Sequence, residues 1–251
     1  MENYHGQSQV RVLVAPSRSG TTAFMHGIAH HPQVATASRA LTESLRQTGR
    51  CDYSIYKYDG PSPFLFYKAT IGMSDRLGCT YDPFPDNSSI SHFKPLFLFR
   101  DPLQTWESWK RVGKGNLDLF VTAYKHTRDL FLRCREISES VRCLTYECLG
   151  ESASDFFPKI LDGWEIPWDE KVISWDKELG SETITHAGLD KVRERFEASL
   201  ASDLHRRIAG GPKMFHLVKN EIELPGEEVE NIEDELRAIY TQITALSTAW
   251  F

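Results

Sequence analysis

Cysteine is scarce in this chain of 251 residues: it has five, Cys51, Cys79, Cys134, Cys143 and Cys148. The number is odd and no C-x-x-C spacing occurs, which argues against a disulfide framework or a zinc knuckle and leaves reduced thiols as the expectation. Long apolar runs are lacking as well. No stretch approaches the ~18 apolar residues of a membrane span, and residues 1–9 carry neither a basic leader nor an apolar core. The expectation is a soluble, cytoplasmic protein that does not enter a membrane. There is no excess of positive charge: 29 Lys and Arg stand against 35 Asp and Glu, for a formal charge of −6. Nucleic acids and anionic membranes need a broad cationic face, so neither is an expected partner, while a local basic pocket remains compatible. No internal repeat and no low-complexity linker divides the chain. With 41% hydrophobic residues the length suits one well-cored domain over residues 1–251. Its nucleotide-binding core is expected at about 10–165 and a helical part at about 166–251.

What the chain does have is an anion loop near its start. Residues 10–15 are an apolar, Val-rich run, then come Pro16, Ser17, Arg18, Ser19, Gly20, Thr21 and Thr22, then apolar Phe24 and Ile28 at helical spacing. That order predicts strand, loop, helix. Backbone N–H groups at such a helix start have no intrahelical partner and point one way, and the helix dipole adds about half a positive charge there. Arg18 adds a full charge. A loop that hydrolyses nucleoside triphosphates places Lys directly after its last Gly, followed by a Ser or Thr that holds Mg²⁺. Here Thr21 and Thr22 follow Gly20, and the cation has moved ahead of the glycine. The loop suits a 5′-phosphate bridged to its leaving group from the side, with no obligatory metal.

A second cationic feature follows the apolar run at 95–99. Arg100 stands at the expected strand's carboxyl end, Pro102 at a helix entry, and Ser108 about two turns on. A guanidinium gives a phosphate two parallel charge-assisted hydrogen bonds, and a Ser hydroxyl supplies a third donor. The competing reading is an Arg that caps its own strand and pairs with Asp101.

Both stretches resemble motifs of sulfotransferases that use 3′-phosphoadenosine-5′-phosphosulfate (PAPS). Pro16 to Thr22 is similar to their 5′-phosphosulfate loop, and Arg100 with Ser108 to the pair that binds the 3′-phosphate. Tyr146, Glu147, Cys148 and Leu149 resemble a Tyr-Glu-x-Leu segment whose Tyr approaches the adenine; packing beneath a helix is the other reading of that ring. The resemblance covers about the first 165 residues. It implies an α/β fold with a central, mostly parallel sheet between helical layers, PAPS as cofactor, and transfer of a sulfuryl group to a hydroxyl or amine of a small molecule. It fails at the C-terminus, where the family's glycine-rich basic segment has only Gly210, Gly211, Pro212 and Lys213 as a counterpart, and no residue aligns with the family's catalytic His.

The remaining candidates come from position. Glu43, early in a helix predicted at 39–46, occupies the place where some branches of the family carry their base. His92, in a segment read as loop over 82–91, is the second choice. Lys68 is expected at the end of a strand over 64–69, the edge where ligands bind in an α/β sheet. Aromatic residues crowd 51–67 (Tyr53, Tyr56, Tyr58, Phe64, Phe66, Tyr67), either lining a pocket for a planar or apolar acceptor or packing as an ordinary excursion. Stretches 189–208 and 227–249 show helical periodicity with mixed charge, the mark of solvated outer helices. A nucleotide-binding protein without turnover and a P-loop small-molecule kinase are the competing functions.

Overall fold

The computed structural model describes residues 9–37, 40–53, 61–72, 75–174 and 221–249. Five strands, β1 (Gln9–Pro16), β2 (Val34–Ala37), β3 (Phe64–Ile71), β4 (Leu96–Phe99) and β5 (Arg142–Thr145), form one sheet in the order β2-β3-β1-β4-β5, every neighbouring pair parallel. The helices are α1 (Thr21–Ala29), α2 (Ala40–Thr48), α3 (Arg76–Thr80), α4 (Asn87–Phe93), α5 (Pro102–Arg111), α6 (Leu117–Ile137), α7 (Tyr146–Glu151), α8 (Ala153–Gly163) and α9 (Gly226–Ala249). Strands flanked by helices on both faces must be apolar on both, and alternate side chains divide accordingly. Val10, Val12 and Val14 join Phe97 and Phe99 in the core beneath α2 to α6 and α9. Leu13, Ala15, Phe66 and Leu98 face Phe24, Ile28, Phe157 and Trp164 of the α1 and α8 layer. The result is a three-layer α/β sandwich.

This topology positions the ligand edge. β1 continues into α1 on one face, and β4 continues into α5 on the other, while the two strands are hydrogen-bonded neighbours. Loops that leave adjacent strands in opposite directions open a crevice at the strands' carboxyl ends, the position where open α/β sheets bind ligands.

The structure departs from the sequence reading in three places. β3 runs three residues beyond Lys68, to Ile71. Lys68 therefore pairs with Leu13 inside the sheet, about 10 Å short of its edge at ~3.3 Å per residue. The stretch read as loop over 82–91 contains α4, because the Asp86 carboxylate accepts from the Ser89 N–H at 2.8 Å and caps a helix of otherwise weak formers. Of the two readings of the aromatic 51–67 segment, packing holds for the described rings: Tyr53 lies 4.9 Å from Tyr67 and 4.7 Å from Phe93, and Phe66 packs on Trp164 at 5.8 Å. Tyr56 and Tyr58 lie outside the described residues.

The third departure is α9, an outer helix as its mixed charge predicts, but one whose inner face is part of the core. Ile232, Leu236, Ile239 and Ile243 recur at helical spacing and are buried in the core that covers β4 and β5. The Glu228 carboxylate accepts from Trp106 Nε1 at 2.7 Å and pairs with Lys110 at 3.0 Å, fastening α9 to α5. Residues 189–208 and the Gly210 to Lys213 stretch lie outside the described residues. No described helix is long and apolar enough to cross a membrane.

Candidate functional site

The loop between β1 and α1 is held in a conformation that ordinary residues avoid. Arg18 has φ 74° and Gly20 φ 86°, both left-handed. For Arg18, which carries a Cβ, this costs on the order of 1–2 kcal/mol. Such strain persists only where the surroundings enforce it. Here they do: the Ser17 N–H donates to Ile71 O at 2.6 Å, Trp109 Nε1 donates to Ser17 O at 2.7 Å, and the Ser19 N–H closes on Pro16 O at 3.3 Å. Gly20 caps α1 with no side-chain acceptor, so the first-turn N–H groups face the crevice uncapped. Ser19 is fully buried, and its Oγ has no hydrogen-bond partner. Thr21 is buried and Thr22 half-buried on the first turn of α1.

Across the crevice, Arg100 follows β4 directly and is 5% exposed. Its NH2 donates to Gln104 Oε1 at 3.2 Å, its NH1 approaches Arg18 O at 3.4 Å, and its guanidinium lies 4.8 Å from the centre of the Tyr146 ring. Arg18 Nε donates to Ser108 Oγ at 2.9 Å. That hydroxyl accepts from Arg18 and keeps its own proton for a further acceptor. Two guanidiniums, Arg100 buried and Arg18 half-buried, thus share one crevice. Burial and the charge of Arg100 both pull the Arg18 pKa down; burial also pulls Arg100 down, with Tyr146, Glu147 and Asp101 opposing. A bound anion would reverse the repulsion and replace the lost solvation. Asp101 does cap α5, accepting from the Gln104 N–H at 3.1 Å, but its second oxygen meets Arg237 rather than Arg100.

The Arg100 turn is anchored from three sides. Tyr124 donates to Arg100 O at 2.8 Å. Glu147 accepts from the Asp101 N–H at 3.2 Å and, through its other oxygen, from the Tyr240 hydroxyl at 2.7 Å. Arg237 NH1 donates to Asp101 Oδ2 at 3.0 Å. Burial, reinforced by the Glu147 carboxylate, pushes the Tyr240 hydroxyl up, which keeps its proton in that bond. Sequence reasoning missed these α9 contacts, because a tyrosine and an arginine on a charged helix carry no local mark of what they will meet.

Tyr146 is buried with its ring against the loop. A Cβ added at Gly20 would stand 2.2 Å from two of its ring carbons. The ring fills the space between the loop and Arg100, so it forms a wall of the crevice and belongs at the same time to the core beneath α1.

The candidate bases are placed unequally. Glu43 lies in the first turn of α2, the helix that follows the carboxyl end of β2 and so leaves the sheet on the ligand edge. His92 sits at the other end of the molecule. Its backbone oxygen accepts from Arg11 NH1 at 3.3 Å, and its exposed ring is bonded to Ser88 O at 2.7 Å. Arg11 is five strand residues from Pro16, about 17 Å at ~3.3 Å per residue, so His92 is on the amino edge of the sheet and away from Arg18. Lys68, at mid-strand, is likewise not an edge residue. The cation at the end of β3 is Lys114, absent from the sequence reading: its Nζ donates to Gly72 O at 2.8 Å and lies 3.3 Å from Ser17 Oγ.

No protein-family model matches the chain, and neither does any curated protein. Solved structures do. The sulfotransferase domain from the curacin biosynthetic pathway superposes with a TM-score of 0.50 at 13% identity, over 92% of this chain and 98% of that one. Mouse sulfotransferase SULT7A1, complexed with PAP, superposes with a TM-score of 0.51 at 13% identity, over 98% of this chain and 88% of that one. The chain has the sulfotransferase fold.

The contact between Tyr146 and the loop can be tested on stability. Gly20→Ala adds left-handed strain and a clash with a buried ring, whereas Gly49→Ala, at φ 74° with nothing within 4 Å, adds the strain alone. Both should lower the urea midpoint, Gly49→Ala by the equivalent of ~1–2 kcal/mol and Gly20→Ala by at least ~1 kcal/mol more. Equal losses would mean that the Tyr146 ring does not rest on Gly20.

Proposed function

We propose that the chain is a PAPS-dependent sulfotransferase that transfers a sulfuryl group to a hydroxyl or amine of a small-molecule acceptor and leaves adenosine 3′,5′-bisphosphate. The observation that carries this reading is the pair of half-buried Arg18 and buried Arg100 in one crevice, Arg18 bonded through its side chain to Ser108 and through its carbonyl oxygen to Arg100. A nucleotide with phosphates on both its 3′ and 5′ positions presents two separate anions, and the site presents two separate cations. Arg100, with the Ser108 hydroxyl, would hold the 3′-phosphate. The uncapped N–H groups at the start of α1, with Ser17, Ser19, Gly20, Thr21 and Thr22, would hold the 5′-phosphate, and the buried Ser19 Oγ supplies a donor with no acceptor among the described residues. Tyr146 would support the adenine side as the wall between Gly20 and Arg100.

When bound, PAPS supplies an activated sulfuryl group with the bisphosphate as its leaving group. The protein then has two tasks, to stabilise negative charge on the departing oxygen and to accept the acceptor's proton. Arg18 serves the first, since it stands in the loop itself and already carries uncompensated charge. Glu43 is the preferred base, the only one of the two candidates whose element leaves the ligand edge. The loop carries no Lys after Gly20 and needs no metal in this reading. The chain acts in the cytoplasm, an assignment supported by five free cysteines, four of them buried, and its net charge of −6 leaves nucleic acid and membrane surfaces outside its partners. The acceptor is a small molecule; the described aromatic side chains, being core, do not define it as planar.

Arg100→Ala should weaken adenosine 3′,5′-bisphosphate by ~1.5–3 kcal/mol, the range for a hydrogen bond to a charged group, and adenosine 5′-phosphate far less. Equal losses for the two nucleotides in a calorimetric titration would refute a 3′-phosphate role. Glu43→Gln keeps the shape of the side chain and removes its basicity. Turnover should fall by ~10²–10⁴ with nucleotide affinity within a few-fold of the unaltered protein; near-full turnover would exclude Glu43 as the base.

A further inference from the structure

Lys114 lies outside both cationic motifs, yet its ammonium occupies the far end of the same edge. Nζ is 2.8 Å from the oxygen of Gly72, the residue after β3, and 3.3 Å from the hydroxyl of Ser17, the residue after β1. The Trp109 ring lies beneath it with its centre 5.0 Å away, and that indole is itself tied to Ser17 O. The chain brings Lys114 back by turning sharply where α5 ends. The N–H groups of Val112 and Lys114 both bond to Trp109 O, at 3.2 and 3.1 Å, and Gly113 takes φ 76° to allow it. A single helix therefore carries Arg100 at its entry, Ser108 in its middle, and Lys114 just beyond its end.

The sheet order gives this arrangement a direction. β3, β1 and β4 are consecutive neighbours, so Lys114, Arg18 and Arg100 follow one another along the carboxyl edge. In PAPS the 3′-phosphate, the 5′-phosphate and the sulfuryl group also follow one another. With the first at Arg100 and the second over the loop at Arg18, the third falls on the β3 side, where Lys114 stands. Two of the three ammonium N–H bonds have acceptors among the described residues, and the third remains for a ligand. Burial and the charge of Arg18 both pull the Lys114 pKa down, as expected of a cation set beside a cation with an anion still to come. The cation–π contact with Trp109 fixes the ammonium in advance, which is how charge is best used in catalysis.

We propose that Lys114 is a further site residue, the cation that receives the oxygens of the transferring sulfuryl group. This rests on the PAPS reading and deepens it: Lys114 supplies, at the true end of β3, the charge that the sequence led us to seek from Lys68. It also predicts a discrimination. Lys114 should contribute to the affinity for the sulfuryl donor and hardly to that for the bisphosphate product, which lacks the group it holds.

Calorimetric titration of the full chain with PAPS and with adenosine 3′,5′-bisphosphate tests this without turnover. Lys114→Met keeps the stem and removes the charge; it should weaken PAPS about tenfold to hundredfold, the cost of a lost charged hydrogen bond. The bisphosphate should change by less than about twofold, since it makes no bond to Lys114. Lys114→Arg should retain most of the PAPS affinity. If Lys114→Met does not fold, Lys114→Gln, which still donates to Gly72 O, carries the same expectation. Equal weakening of both nucleotides would show that Lys114 only staples Ser17 to Gly72, and no weakening of either would remove it from the site; both results overturn the inference alone. Failure of the unaltered chain to bind either nucleotide would overturn the PAPS reading and this inference with it.

Discussion

Half-buried Arg18 and buried Arg100 lie beside each other, and Arg18 sits on left-handed backbone. Burying a guanidinium costs solvation, placing two together adds repulsion, and the φ of Arg18 adds strain. Ser108, Gln104 and the Tyr146 ring contact them, and the charges of Glu147 and Asp101 act against the cost at Arg100. A dianionic ligand between the two would turn both electrostatic penalties into attraction. Structure without such a ligand would have little reason to keep the pair, and a hydrophobic or ion-paired alternative would be the more stable choice.

Much of the remaining fold serves to hold that pair at its separation. β1 and β4 must be direct neighbours for the two loops to share a crevice, and their helices must depart on opposite faces for the crevice to stay open. α5 then crosses the loop between β1 and α1, touching Arg18 through Ser108 and Ser17 through Trp109. α9 secures the Arg100 turn from outside, with Tyr240 acting on Glu147 and Arg237 on Asp101. The described C-terminal helix grips the turn that carries Arg100. An outer helix with a charged surface thus becomes part of the site's support, at the distance of one hydrogen-bonded carboxylate.

The parts legible in the sequence were those written in adjacent residues. The loop from Pro16 to Thr22 is flanked by a strand pattern and a helix pattern, and Pro102 marks the helix after Arg100, so both were found with their elements. α6 is marked in the same local way: Asn116 caps it, accepting from the Leu119 N–H at 3.0 Å. What failed was decided by tertiary contact. Thr70 and Ile71 are β-branched and suit a strand, but that the strand runs on through them is set by β1, which extends alongside up to Pro16. His92 looked like a base from its chemistry, but its place follows from α4, which returns the chain to the amino edge. Lys114 offered only a lysine between two glycines. Its meaning depends on a turn that folds it onto Trp109 and on β3 ending where it does.

The most direct measurement is calorimetric titration of the full chain with adenosine 3′,5′-bisphosphate and, separately, with ATP and Mg²⁺. Two separated cations and a loop without Lys after Gly20 predict that the bisphosphate binds, that EDTA leaves its affinity unchanged, and that ATP with Mg²⁺ binds far more weakly. Tighter binding of ATP that depends on Mg²⁺ would contradict the assignment and make the loop that of a kinase.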